Sequence, residues 1–585
     1  MSDRLLDDVF AAIDAGRLDR AKALLTPALR RDPANGPLNA AMGVVLATQG
    51  AIEQAVFYAS RATELMPTLP EAWLNLGQML GGLGRFAEGI EAIERGLSLD
   101  PSHIEGMRRY ATVLAGAHRY ADALAACARG LVLAPDDHNL LLEQGRLELL
   151  IGHASRAVRI LEYAADKHPR SMSVAGALAF ATLYDPSVSR EKIFALSRRC
   201  GELVAALFAP LPPRVSPIGS PLRVGFISPD FRNHAVARFI EPLLAHLPRD
   251  RVQAHCYATS IHSDAFTQRI RDHCAEFRVV SGTLWQQAAQ RVRDSRVDVL
   301  IDLAGFTADS GIDVLAMRPA PIQGAYLGYP GTIGMPGVDF RIVDSLTDPA
   351  GEPFHADDFA TETLVRLDPC FLCYRPDTDA PPVVMRGETS PIAFGCFGSG
   401  PKISDPLLRA WAMLLERCPG SRLVLKNFSL QQPELRAALM DRAARAGIDP
   451  SRVELLPPTT SSREHLDAYA RVDIALDTFP YTGTTTTCEA LHMGVPVVSL
   501  VGVSHHERVG LSLLSGVGRA EWCANDVDSY INIAAGLASD RACLAAIRAE
   551  LRGQLAASVV CDARAFAGRF CDAIEAIAAG YRKQP

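Results

Sequence analysis

No stretch of the chain reaches the roughly 18 consecutive uncharged apolar residues that a membrane-crossing helix needs, so the sequence offers no spanning segment. It also lacks a positive excess. Lys and Arg number 59 against 66 Asp and Glu, a net charge of −7 that leaves no broad basic surface and makes nucleic acid a poor candidate partner. A disulfide framework is missing too, because the 13 cysteines are odd in number and scattered, which fits reduced thiols. Cys370 and Cys373 form one C-x-x-C in "PCFLCYRP", but no second pair follows at zinc spacing and no thioredoxin-like strand precedes it. A buried structural pair is expected there rather than a metal or redox site. The opening "MSDRLLDDVFAAIDAGRLDRAKALL" carries acids throughout and shows no basic start ahead of an apolar run, the mark of a targeting signal, so a cytoplasmic protein is expected.

What is present is ordinary globular composition, 48% hydrophobic and 21% charged, far from the signature of disorder. At about 150 residues per domain, 585 residues suggest three or four units. The first third is periodic. Pro33, Pro67, Pro101, Pro135 and Pro169 each stand 34 residues apart, the tetratricopeptide period. Small residues recur where paired helices must approach: Gly43, Gly77, Ala111 and Gly145 in the first helix of each repeat, Ala21, Ala55, Gly89, Ala123 and Ala157 in the second. Such an array is a binding surface for peptide or protein, with a homodimerisation arm as the alternative use.

A proline-rich stretch near residues 209 to 220, "APLPPRVSPIGSP", marks a domain boundary. Beyond it, apolar runs alternate with helical stretches: "LRVGFIS", "VQAHCYAT", "VDVLIDLAG", "IQGAYLGYP" and "FRIVDS", then, after a break near residues 375 to 390, "IAFGCFG", "SRLVLKN", "RVELLP", "VDIALD" and "VPVVSL". This alternation predicts two α/β halves with parallel sheets and a cleft between them. Ligands of open parallel sheets sit outside the carboxyl ends of the strands, which directs attention to His234, Lys402, His465 and the segment "DTFPYTGTTTTCEALHMGVPVVSL". Four consecutive threonines between Pro480 and Gly483 on one side and "CEALHMG" on the other read as a loop opening a helix. Free N–H groups, the positive end of the helix dipole and uncharged hydroxyl donors together suit a phosphate or diphosphate.

With "SPDFRNHAVARFIEP", "RPAPIQGAYLGYPGTIGMPGVDFRIVDSLTDP" and "CFLCYRP" in this order behind the repeats, the chain resembles the SPINDLY and O-linked N-acetylglucosamine transferase family over nearly its whole length. The resemblance implies a tetratricopeptide superhelix followed by an α/β GT-B fold, a pair of Rossmann-like domains. With the proline period and the two breaks, this gives about five repeats in residues 1–171, a helical connector and Pro-rich linker in 172–215, and catalytic domains in 216–385 and 386–585. The resemblance further implies an inverting transfer of sugar from a nucleoside diphosphate to Ser or Thr of an acceptor protein on the repeat surface, with no metal or other cofactor.

By the same resemblance Lys402 meets the diphosphate, and Gly483, Thr484, Thr485 and Thr486 cradle it. Glu489 accepts hydrogen bonds from ribose or sugar hydroxyls, and His465 lies near the nucleoside. His234 stands beside donor and acceptor as the first candidate for proton handling. His505 and His506 belong either to the cleft or to a loop that packs helices. UDP-N-acetylglucosamine is the family's default donor. The run "GTTTT" is closer to the SPINDLY branch, some members of which use GDP-fucose, and "CFGSGPKI" replaces the family's amide-bearing approach to the lysine. A tetratricopeptide adaptor that binds nucleotide without turnover is the alternative from another class.

Overall fold

The computed structural model of the protein describes residues 2–214, 218–281, 284–387 and 389–582. Residues 215–217 of the expected linker, 388 of the second break and 583–585 of the last expected domain lie outside the described residues. Two compact units form, one comprising residues 1–151 and 159–168, the other residues 152–158 and 169–585.

The first unit is built from helical hairpins: Ser2–Asp14 with Leu18–Arg31, Gly36–Thr48 with Ile52–Leu65, Pro70–Gly82 with Phe86–Leu99, and Ile104–Gly116 with Tyr120–Leu133, followed by His138–Leu150 and the part of the helix Ala154–Lys167 from Arg159 onward. Pro33, Pro67, Pro101 and Pro135 directly follow the helix C-caps Asp32, Met66, Asp100 and Ala134, where proline cannot continue the ladder. The small residues permit the close approach that the period implied. A Cβ added to Gly77 would lie 2.6 Å from the carbonyl oxygen of Gly89 and 2.4 Å from Ile93 Cγ1, and one added to Gly89 would lie 2.8 Å from the carbonyl of Gly77.

In the second unit, strands β1 (Leu222–Ser228), β2 (Val252–Ala258), β3 (Glu276–Val279), β4 (Val299–Asp302), β5 (Ile322–Ala325), β6 (Phe340–Val343) and β7 (Thr363–Arg366) form one sheet in the order β3-β2-β1-β4-β5-β6-β7. A second sheet takes β8 (Ala393–Cys396), β9 (Arg422–Lys426), β10 (Val453–Leu456), β11 (Ile474–Leu476), β12 (Val497–Leu500) and β13 (Cys523–Ala524) in the order β10-β9-β8-β11-β12-β13. Every recorded pairing is parallel. Both sheets place their first strand beside a reversal of strand order, the position at which open α/β sheets receive ligands. The last helix, Ala563–Arg582, returns to the first sheet's side: Phe570 packs 6.2 Å from Phe226, and Arg251 Nε donates to Glu575 at 2.9 Å.

The Gly77–Gly89 contact makes a test of the repeat packing. Gly77→Val should lower full-chain stability by about 1–3 kcal/mol in urea unfolding, because a carbonyl cannot move aside as a side chain can. Gly82→Ala, whose Cβ would have only Ile52 Cγ2 near it at 3.9 Å, should be neutral or stabilising by up to ~1 kcal/mol. Equal effects from the two substitutions would contradict this packing.

Candidate active site

Between the two sheets lies a cavity of about 360 Å³. The first half contributes His234, Val236, Phe239, Thr307 and Gly328, the second half Gly398, Ser399, Lys402, Tyr481, Thr484, Thr485, Thr486 and His505, and Phe180 of helix Met172–Thr182 closes one side. Among the described residues that line it, none is a carboxylate.

The threonine segment is fixed from behind by Asp477, which directly follows β11. Its buried carboxylate accepts from Thr478 N–H at 2.9 Å and Gly483 N–H at 2.6 Å through Oδ1, and from Ser499 Oγ at 2.7 Å through Oδ2. Burial pushes this carboxyl up to about 6, against the pull of Ser499, Gly483 and Lys402, so it is ionised at neutral pH. Gly483 is therefore committed to Asp477, and its N–H holds the loop rather than facing the cavity. A Cβ at this position would meet Thr486 Oγ1 at 2.6 Å. Thr482 is anchored similarly, with its N–H and Oγ1 both donating to the carbonyl of His506 at 3.0 and 2.9 Å.

From this anchored turn the helix Thr485–His492 begins, with Thr484 at its N-cap making no side-chain cap bond. The expected loop-to-helix junction is thus where the sequence placed it. Among the described residues the buried hydroxyl of Thr485 has no hydrogen-bond partner, although it borders the cavity. Such a group carries an uncompensated desolvation cost that an incoming acceptor relieves.

Lys402 ends a 3-10 turn, Gly400–Lys402, beyond β8. Its Nζ donates to the carbonyl of Thr482 at 2.8 Å and sits 3.8 Å from the centroid of the Tyr481 ring. Burial draws the ammonium down to about 8, with Asp477 opposing. The lysine retains partial solvent access through the cavity. It is a built-in member of the site rather than a free surface-cleft side chain.

His234 caps the helix Ala235–His246 from the opposite wall, its Nδ1 accepting from Val236 N–H at 3.3 Å. Asp230 Oδ2 lies 3.4 Å from the same nitrogen. Burial lowers the His234 pKa, Asp230 partly offsetting it, so the ring is neutral at pH 7. While Nδ1 accepts from Val236, the neutral ring carries its proton on Nε2 and is a donor there. It becomes an acceptor at Nε2 only in the tautomer that turns Nδ1–H to Asp230.

His465 and Glu489 do not line this cavity. His465, on the helix Ser462–Asp467, receives a hydrogen bond at Nδ1 from Lys426 Nζ at 2.6 Å and presents Nε2 to Glu489 Oε2 at 3.0 Å. A lysine has only donors, so Nδ1 accepts and Nε2–H points to the carboxylate. Phe397 and Tyr469 pack edge-on to the imidazole at 6.0 and 5.9 Å. A small crevice shares Gly398 and Thr486 with the cavity and is also lined by Phe397 and Tyr469, the rings that pack on His465. Lys426 was not singled out in the sequence, although it stands at the carboxyl end of a strand, where the ligand rule for parallel sheets would have directed attention.

His505 and His506 divide the two roles open to them. His505 borders the cavity and pairs through Nδ1 with Asp348 of the first half at 2.5 Å. Burial raises the Asp348 carboxyl, but Arg341, at 2.8 Å, and His505 outweigh it and hold it well below the usual carboxylate range. His506 is 2% exposed, packs edge-on to Tyr481 and supplies the carbonyl that anchors Thr482; burial pulls its pKa down to about 3. Cys370 and Cys373 are both fully buried in the apolar core. Among the described residues no group of three His, Cys, Asp or Glu is arranged to hold a metal ion.

The chain was compared with known proteins. A model of glycosyl transferase family 41 matches residues 206–372 and 388–570, and tetratricopeptide repeat models match 12–80 and 70–103. A relative from Arabidopsis thaliana, described as Probable UDP-N-acetylglucosamine–peptide N-acetylglucosaminyltransferase SPINDLY, is 39% identical over 353 residues, covering 59% of this chain and 38% of that one. Its Oryza sativa counterpart is 40% identical over 355 residues, with the same coverage. The chain thus spans about two fifths of the length of these relatives. Among solved structures, a mutant of the Thermobaculum terrenum O-GlcNAc transferase superposes with a TM-score of 0.80 at 29% identity, covering 88% of this chain and 98% of that one. Its two parallel sheets behind helical repeats, and a family match extending over more than half of its residues, establish that the chain belongs to glycosyl transferase family 41.

Proposed function

We propose that the protein is an inverting O-glycosyltransferase that moves a sugar from a nucleotide sugar to Ser or Thr of acceptor proteins held by its tetratricopeptide array. The observation that carries this reading is the meeting of Lys402 Nζ, the start of the helix Thr485–His492 and the unpartnered Thr485 hydroxyl in one cavity, facing His234 across it. In an inverting transfer the acceptor oxygen bonds to the anomeric carbon as the bond to the diphosphate breaks, so negative charge grows on the departing phosphate. An ammonium, hydroxyl donors and a helix N-terminus fixed in advance stabilise that charge. The proposed mechanism needs no metal, since Lys402 and the helix start supply the positive charge that the departing phosphate requires.

In this reading Glu489 and His465 hold the nucleoside side of the donor, with Lys426 fixing the tautomer of His465. His234 takes up the acceptor proton in the tautomer supported by Asp230. UDP-N-acetylglucosamine is the donor of first choice, in line with the descriptions of the plant relatives. GDP-fucose is the second, favoured by the threonine run. The reading places the enzyme in the cytoplasm; among the described residues no helix is long and apolar enough to cross a membrane. Homodimerisation through the repeats is the alternative use of the array. A nucleotide-binding adaptor is disfavoured because the lysine, threonines and histidine needed for turnover share one cavity.

Incubation with a panel of nucleotide sugars, reading donor hydrolysis and the intact mass of candidate acceptors, tests the reading; turnover of none of them would refute it. Lys402→Met keeps the stem over Tyr481 and deletes the charge, so turnover should fall by about 10²–10³ with the unfolding midpoint retained. Near-normal turnover at saturating donor would remove Lys402 from the mechanism. Replacing Thr485 and Thr486 together by Val should weaken nucleoside diphosphate binding by about 1–3 kcal/mol in calorimetry. Apo stability should hold or rise slightly, because an unpartnered buried hydroxyl is lost; unchanged affinity with a large stability loss would make the run a structural turn.

The pH profile carries its own sign. Lys402 is charged below about 8 and neutral above it in the free protein, whereas a bound diphosphate favours the charged form. Affinity for UDP or GDP should therefore be level below about pH 8 and fall, by up to about tenfold per unit, as pH rises above it. Lys402→Met should flatten this limb, and a limb that persists in the variant would assign it to another group.

A further inference from the structure

A thiol pair lies outside the cavity but is mechanically linked to its wall. Cys274 caps the C-terminal end of the helix Ala265–His273, and its Sγ lies 3.1 Å from Sγ of Cys256 in β2 and 3.0 Å from the carbonyl of Ile270. Disulfide-bonded sulfurs stand about 2.05 Å apart, so an approach of about 1 Å joins this pair. The two thiols are unequal. Cys256 is fully buried in the core, whereas Cys274 is only half-buried. Burial and then the adjoining Cys274 hold the Cys256 thiol in its protonated form, which leaves Cys274 to meet an oxidant first.

The opposite end of the same helix braces the loop that carries His234. Asp264, its N-cap, accepts from Asn233 N–H at 2.6 Å, and Thr267 Oγ1 donates to the carbonyl of Phe231 at 2.6 Å. Phe231 packs edge-on at 5.9 Å against Phe277 of β3, the strand that follows Cys274. A displacement of this helix toward β2 is therefore transmitted to residues 231–233 and to the histidine beside them.

We propose that Cys256 and Cys274 are an oxidation site for hydroperoxides, closing to an intrachain disulfide that acts through the helix Ala265–His273 on the His234 loop. The thiolate of Cys274 attacks the peroxide O–O bond, leaving a sulfenic acid and releasing water or an alcohol. The sulfur of Cys256 then attacks the Cys274 sulfur, and its proton departs with the hydroxyl as water. Two thiols are oxidised and one hydroperoxide is reduced. The inference does not depend on the proposed glycosyl transfer.

The test uses the full chain, reduced, titrated with hydrogen peroxide, alkylated with N-ethylmaleimide and digested with trypsin without reductant. Cleavage places the two cysteines on separate peptides, 252–269 and 272–278, and the exposed Cys543 gauges the oxidant dose. The expected product joins these peptides, is lighter by the two thiol hydrogens, disappears with dithiothreitol, and forms by the dose at which Cys543 reacts. Hydrogen exchange in residues 231–234 should differ by at least about twofold between reduced and oxidised protein. In Cys256→Ser, Cys274 should stop at a sulfenic acid that dimedone traps; if that variant does not fold, the wild-type peptide map decides. Both peptides alkylated and unlinked while Cys543 is oxidised would overturn the proposal. A cross-link with unchanged exchange would overturn its action on the loop.

Discussion

A single buried carboxylate organises the candidate site. Asp477 takes hydrogen bonds from Thr478, Gly483 and Ser499, and hydrogen bonds to a charged acceptor are worth about 1.5–3 kcal/mol each. Two of these come from the turn that carries the threonines, so the turn is held to the ends of β11 and β12. The carbonyl of Thr482, fixed in that turn, in turn positions Lys402 Nζ. The carboxylate and the ammonium also moderate each other, each stabilising the charge of the other against burial. With the turn tied down from behind, its remaining donors face the cavity.

A second set of bonds relates the two halves. His505 on the second half pairs with Asp348 of the first, Arg508 Nε donates to the carbonyl of Leu346 at 2.7 Å, and Arg251 ties the first half to the final helix through Glu575. These contacts set the separation between His234 and the threonine turn, which any transfer across the cavity requires. The His465–Glu489–Lys426 triad stands beside this arrangement, its imidazole packed on Phe397 and Tyr469.

Much of this was legible in the sequence, and for physical reasons. The 34-residue spacing of prolines and small residues announced the repeats because helix pairs tolerate nothing larger at Gly77 and Gly89. Buried parallel strands read as continuous apolar runs, which is why the nine interior strands were visible, together with β10 at one edge. The missed strands were edge strands: "EFRV" and "TLVR" carry charge and alternate poorly, and β13 has only two residues. Within the site, Lys402, the threonines and His234 were visible as residues following strands. What the sequence did not reveal was which side of the turn each group faces. Gly483 looked like a phosphate donor but serves Asp477, and the site's dependence on Asp477, Tyr481 and Lys426 arises from long-range contacts that no local pattern encodes.

The central claim is that the start of the helix Thr485–His492 and Lys402 form one anion cradle. A structure of the protein with a bound nucleoside diphosphate, UDP and GDP tried in turn, tests it most directly. The account predicts the diphosphate within hydrogen-bond reach of Lys402 Nζ and Thr485 Oγ1, with the base and ribose directed toward His465 and Glu489. A diphosphate bound away from these two atoms, with the Thr485 hydroxyl still lacking a partner, would contradict it.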